Sequence, residues 1–214
     1  MTTKTYDRQT AKFIATVCQN LPEISADVMQ GWIENPKTLQ KVLLNALCPP
    51  ETTSELKAWK TIKLGTGLQT ADDFRRALKD GGFRIGDRGN DILGKSAFTM
   101  ATEETEVDLV VVSVAELGFE TGAYCEGIYK RAQELELELC PPEVGPQLRL
   151  QYKDQPMGEC LLIGMEPISD SDSHYPNVFS VEHDSGSLWL CSSLGHSGHF
   201  RTGGDRWVFL HRDK

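Results

Sequence analysis

The stretch Val107-Asp108-Leu109-Val110-Val111-Val112-Ser113-Val114-Ala115-Glu116-Leu117-Gly118-Phe119 is the densest apolar run in the chain. Its β-branched side chains, unbroken by turn residues before Gly118, predict a strand buried on both faces. Immediately upstream, Thr102-Glu103-Glu104-Thr105-Glu106 is polar and acidic and marks a boundary between two halves. Residues 1–98 read as a helical unit. Residues 107–214 read as an acidic α+β domain with a mainly antiparallel sheet, built to cover that strand.

Length and composition limit what such a chain is. With 214 residues it holds one large domain or two small ones. A chain of this size buries roughly 70% of its unfolded surface, so it needs neither disulfide nor metal to fold. Its six cysteines, Cys18, Cys48, Cys125, Cys140, Cys160 and Cys191, form no Cys-x-x-Cys pair. Scattered cysteines of this kind are expected as free thiols in a reducing compartment. The first residues are polar with no apolar run behind them, and no stretch reaches the roughly 18 apolar residues of a membrane span. A cytoplasmic protein with no membrane partner and no cofactor is expected. The net charge of −9 is unevenly spread: residues 1–98 carry +3 and residues 99–214 carry −12. The acidic half would repel a phosphate backbone, so a nucleic-acid partner would have to meet the first half.

Outward from the strand, towards the start, the punctuation is helical. Asp7 can cap a first helix with Phe13, Ile14, Val17, Cys18 and Leu21 on one face, and Pro22 ends it. Ser25 caps a second, with Ile24 placed to staple onto Met29. Asn35-Pro36 opens a third, striped by Leu39, Val42, Leu43, Ala46 and Leu47. Residues 1–50 thus predict a three-helix bundle, stopped by Cys48-Pro49-Pro50-Glu51. Residues 53–98 follow as a helical hairpin region. There Trp59 to Leu64 fits helix or strand, Gly65-Thr66-Gly67 is a turn, and Thr70 caps a helix closed by Gly81-Gly82. A short element over 87–93 completes it.

Towards the end of the chain, a helix capped by Thr121 is expected, with Tyr124, Ile128, Tyr129, Ala132 and Leu135 on one face. The alternation over 134–139 fits its last turn or a short strand. Val144 to Tyr152 predicts another helix, since Pro146 falls in its first turn. Cys160 to Met165 is a buried strand. The segments 178–182 and 188–191 flank Asp184-Ser185-Gly186-Ser187 as a hairpin, and 207–210 is a final strand.

The chemistry-bearing patterns are incomplete. Gly195-His196-Ser197-Gly198-His199 has His199 where a nucleophile elbow needs glycine, and no helical pattern follows. His196 and His199 make one loose pair where a zinc site needs four ligands. Asp170-Ser171-Asp172-Ser173-His174 breaks the calcium-loop pattern at His174. Residues 70–95 have the length of a helix-turn-helix, with Arg75, Arg76, Arg84, Arg88 and Lys95 as candidate phosphate contacts. Asp80, Asp87 and Asp91 dilute that charge, and Gly89 would weaken the second helix.

Four segments together resemble a widespread family of uncharacterised bacterial proteins. They are Trp59-Lys60-Thr61-Ile62-Lys63-Leu64-Gly65-Thr66-Gly67, Asn90-Asp91-Ile92-Leu93-Gly94-Lys95, the run over 106–119, and Glu143-Val144-Gly145-Pro146-Gln147-Leu148-Arg149-Leu150-Gln151-Tyr152-Lys153-Asp154-Gln155-Pro156. The resemblance spans about residues 57–214 and is most specific over 143–156. It implies a bacterial, cytosolic protein and carries no assigned activity, so it transfers no catalytic residue. The tail over 190–204, with its extra His, Ser and Gly, departs from the family pattern.

The resulting expectation is a non-catalytic interaction or binding module acting on a protein partner. Its candidate binding residues are Arg149, Gln151, Tyr152, Lys153 and Asp154. The alternatives are nucleic-acid binding through residues 70–95 and a hydrolase using His196, Ser197 and His199. A concave site that gathered polar groups from 148–156 and 183–204 would discriminate among them.

Overall fold

Of the stretch 107–119, residues 107–113 belong to a strand near one side of a nine-stranded sheet, and a turn follows. The computed structural model describes residues 8–47, 56–171 and 174–211. The expected Asp7 cap, the Cys48-Pro49-Pro50-Glu51 stop and Asp172 of the acidic loop lie outside them. The chain divides into two compact units, Met1–Pro50 and Glu51–Lys214.

The first unit contains α1 (Arg8–Gln19), α2 (Ala26–Glu34) and α3 (Pro36–Leu47). The local signals act as expected: Ser25 Oγ accepts from Val28 N at 3.4 Å, and Pro36 is the first residue of α3. Among the described residues of this unit none is buried, and Phe13, Ile24, Met29 and Ile33 are exposed.

The second unit holds β1 (Lys60–Leu64), α4 (Ala71–Asp80), β2 (Arg84–Ile85), α5 (Asp87–Leu93), β3 (Thr105–Ser113), β4 (Ala123–Tyr124) and α6 (Cys125–Glu134). It continues through β5 (Leu137–Glu138), α7 (Val144–Gln151), β6 (Cys160–Ile163), β7 (Ile168–Ser169), β8 (Pro176–Asp184), β9 (Ser187–Leu194), β10 (Phe200–Arg201) and β11 (Arg206–His211). The main sheet runs β1-β3-β11-β6-β8-β9-β2, with β5 on β11 and β7 on β8, while β10 and β4 form a separate ribbon. Helices and sheet together make the fold α+β.

Three expectations are corrected here. The sheet is mixed rather than mainly antiparallel, because β11 enters beside β6 in parallel and β2 joins β9 in parallel. Both pairings link strands far apart in the chain, as parallel pairing requires. The boundary expected near residue 100 does not separate two bodies, since β1 pairs with β3 and residues 56–98 belong to the sheet unit. Thr121 does not cap α6, which starts at Cys125 because Tyr124 is drawn into the ribbon opposite Phe200.

Strand β3 is buried as its composition demands, with Leu109, Val110 and Val112 at most 1% exposed. Cross-strand partners share a face. One face carries Leu161, Ile163, Phe179, Val181 and Leu190, all fully buried, and α5 and α7 pack on it. Phe74, Phe98 and Phe179 form an edge-to-face chain there, at 5.6 and 6.0 Å. On the opposite face, Tyr129 of α6 packs edge-on against Trp207 at 5.5 Å and Phe209 at 6.4 Å. Beyond them this face becomes polar. No described helix is long and apolar enough to cross a membrane.

Candidate functional site

Several polar side chains of the segment 143–156 are bound within the fold. Glu143 does not cap α7 with its side chain; its carboxylate instead accepts from Gly65 N at 2.8 Å and Ala101 N at 2.7 Å. One turn on, Gln147 Nε2 donates to Glu143 Oε1 at 2.9 Å and Thr66 Oγ1 at 2.8 Å. After another turn, Gln151 exchanges hydrogen bonds with the backbone of Lys63 at 2.8 and 2.9 Å. Residues four apart share a helix face, so these three amides and carboxylates staple α7 to β1 and its loop. Arg149 is fully buried. It donates to Gln155 Oε1 at 2.5 Å and to Tyr152 O, and lies 5.2 Å from the Phe83 ring. Burial holds its pKa down to about 10. Tyr152 is buried against Trp59 and donates to Glu159 Oε2 at 2.8 Å; burial and then Glu159 push its phenol up. Lys153 and Asp154 are exposed beside it, and the Asp154 charge adds to the upward push on the Tyr152 phenol.

The candidate phosphate contacts are largely occupied. Arg75 holds Asp72 at 2.7 Å and Asn90 Oδ1 at 2.6 Å, and Arg76 pairs with Asp73 at 3.8 Å. Lys95 pairs with Asp91 at 3.5 Å and donates to Ser171 Oγ, while Arg84 lies over Trp189 at 5.3 Å. Arg88 is exposed. The would-be recognition helix α5 turns Gly89 into the sheet, where a Cβ would meet Leu190 O at 3.1 Å. Between the two helices runs β2, a strand of the sheet, rather than the tight turn of a helix-turn-helix.

The histidine loop is tied to α6: Cys125 N donates to His199 O at 2.9 Å and Glu126 N to Ser197 O at 3.2 Å. β10 begins directly after His199, so Ser197 sits on no strand-to-helix elbow. His196 faces His199 edge-on at 5.4 Å. Burial lowers the His199 pKa, helped by Arg201 and His196. A cleft of about 540 Å³ opens between this loop and α6, lined among others by Tyr129, Lys130, Glu166 and His196. Among the described residues no three His, Cys, Asp or Glu side chains are placed to hold a metal ion.

A second cleft, of about 520 Å³, lies on the polar part of the sheet face. It gathers the 156–160 loop with Leu162, Ser193, Arg201 and residues 204–206; of the stretch 148–156 only Pro156 lines it, so the polar groups expected from that stretch do not meet those of 183–204 here. Register sets the neighbours of its lining strand residues: Cys160 stands in one row with Glu182 and Trp189, and Leu162 in the next with Ser180 and Cys191. Glu182 Oε1 accepts from Ser180 Oγ at 2.7 Å. Burial and then Glu182 push the Cys160 thiol up to about 12 and the Cys191 thiol up to about 11. Both thiols therefore stay protonated near neutral pH and are poor nucleophiles. On the wall, Arg206 pairs with Glu159 at 2.5 Å.

Arg201 is the unusual member. It is 9% exposed and lines the cleft. Its Nη2 donates to Ser193 Oγ at 2.9 Å and Leu194 O at 2.5 Å, and its guanidinium lies 5.7 Å from the Trp207 ring centroid. Its Nε has no hydrogen-bond partner, and it forms no ion pair among the described residues. Gly203 seats this loop, because a Cβ there would lie 2.1 Å from Glu120 O. Sequence reasoning passed over Arg201, Asp205, Cys160 and Glu182. The available signal was Arg201-Thr202-Gly203-Gly204-Asp205-Arg206, a glycine pair framed by charges between two strands, where loop residues serve binding more often than packing.

Comparison with protein-family models, with curated proteins and with solved structures found no match.

Proposed function

We propose that the protein is a non-catalytic binding module whose second unit takes a small anionic ligand in the cleft beside Arg201. The observation that carries this reading is the buried Arg201 guanidinium with no carboxylate paired to it. A cation withdrawn from water is unfavourable until a counter-charge accompanies it, and a planar guanidinium suits a carboxylate or phosphate that accepts in parallel from its fork. Ser193 Oγ and Leu194 O fix one edge of the fork, which leaves the guanidinium oriented before any ligand arrives. Against a catalytic role stand the protonated thiols and the lack of an activated nucleophile in the cleft. The size of the cleft falls within the few hundred Å³ usual for small-molecule sites.

Titration calorimetry with sodium acetate, isocaproate and inorganic phosphate tests this. At least one of the three is expected to bind with a dissociation constant of about 1 mM or tighter, worth about 4 kcal/mol. Arg201→Gln is expected to weaken that binding at least about tenfold, and Arg201→Lys, which keeps the charge but loses the fork, by a smaller factor. Circular dichroism of the variants keeps a folding defect apart from a binding defect. Binding unchanged in a folded Arg201→Gln protein, or no binding of any of the three anions, overturns the reading.

A further inference from the structure

From the charges left unpaired around the same cleft, we infer that its ligand is a zwitterion, a free α-amino acid with an apolar side chain. The inference rests on the anion reading above and goes further. Arg201 is one of two charged groups in the lining without an ionic partner among the described residues; Asp205 is the other. Asp205 Oδ2 accepts from Thr202 N at 2.9 Å, which holds the carboxylate at the loop without neutralising it. The remaining lining charges, Arg206 and Glu159, cancel each other at 2.5 Å.

Opposite charges this near usually pair. Arg201 and Asp205 do not, although both act on the Cys160 thiol, the one lowering and the other raising its pKa. A ligand carrying a carboxylate and an ammonium a few ångströms apart satisfies both at once. An anion alone would answer Arg201 and meet Asp205 as a like charge, which selects against simple acids. Glu182, the cross-strand partner of the lining residue Cys160, is a further carboxylate next to it. Pro156, Met157 and Leu162 supply the apolar part of the lining. An apolar side chain can rest there while the charged head meets the loop. Met157 is 61% exposed, a large apolar side chain at the rim that burial by such a ligand would cover.

Three probes of matched shape separate the parts: L-leucine, isocaproate, which lacks the ammonium, and isoamylamine, which lacks the carboxylate. Calorimetric titration of the full chain is expected to rank leucine at least about tenfold tighter than isocaproate, with isoamylamine weakest. Asp205→Asn keeps the Thr202 acceptor and removes the charge. In that variant leucine and isocaproate are expected to bind within about twofold of each other, with isocaproate no weaker than in the wild type. A thermal melt like that of the wild type shows the variant folded. If isocaproate binds through Arg201 and leucine binds no tighter, the zwitterion is overturned while the anion site stands. If neither binds, both fall. If leucine keeps its advantage in Asp205→Asn, the assignment of its ammonium to Asp205 is wrong.

Discussion

Glu143→Ala is expected to lower the free energy of unfolding by about 3–4 kcal/mol in a denaturant titration. Glu143 is 1% exposed, and its two oxygens accept from Gly65 N, Ala101 N and Gln147 Nε2. Removing the carboxylate leaves two backbone donors and one amide without their acceptor. Each buried donor left unsatisfied costs about 1–3 kcal/mol, and those near the rim cost the lower figure because water reaches them. Glu143→Gln should lose less, about 2 kcal/mol, since its carbonyl replaces one acceptor while its amide turns a donor towards another. The loss should come with no change in anion affinity, since the contacts concern the turn after β1. A fall of less than 1 kcal/mol for Glu143→Ala would show that water satisfies those donors and that α7 is not stapled by this side chain.

Arg149→Ala is expected to cost about as much, about 3–5 kcal/mol, for a different reason. The truncation leaves a large cavity against Phe83, and it orphans Gln155 Oε1 and Tyr152 O. Arg149→Met fills the volume without the charge and should lose markedly less, because the desolvation of a buried cation disappears with it. The pH dependence has a definite sign. Burial lowers this pKa from the ordinary guanidinium value to about 10, so the unfolded chain holds the proton more tightly. The charge therefore costs stability at every pH below about 10, and the cost is relieved as pH rises from there towards the ordinary guanidinium pKa. The stability of the wild type relative to Arg149→Met should accordingly rise across that window. A flat difference would place Arg149 in a wetter environment than its burial implies.

These two residues show how much of the most distinctive stretch of the sequence is engaged in holding the fold together. Residues 143–156 are rich in polar groups, and a sequence does not reveal which polar groups point inward. Glu143, Gln147 and Gln151 recur every four residues, a spacing that could have been read as one polar helix face meeting another polar surface. Local signals were legible: Ser25, Pro36 and Thr70 start their helices, and the valine-rich run over 107–114 is buried strand. The hairpin of β8 and β9 turns where expected, with Ser185 and Gly186 at φ of 50° and 72°. Elements that exist only through distant partners were not legible. The two-residue strands β2, β4 and β10 have no periodicity, and β11 lies beside β6 in parallel by a pairing no local pattern encodes. The cleft depends on those same distant pairings, because Arg201 sits on β10 while other lining residues sit on β6, β9 and β11. The five candidate phosphate contacts were named for their charge alone, and four of them are engaged by carboxylates, amides or an aromatic ring.

The most direct test of the account is the Arg201 side chain itself, observed by its ¹⁵N-labelled Nε–H resonance during titration with isocaproate. Arg201→Lys identifies the signal by its disappearance. The account predicts that this resonance moves with saturation, at the concentration where calorimetry places binding, while the buried Arg149 Nε–H stays still. An Arg201 resonance that does not move while isocaproate binds elsewhere would contradict it.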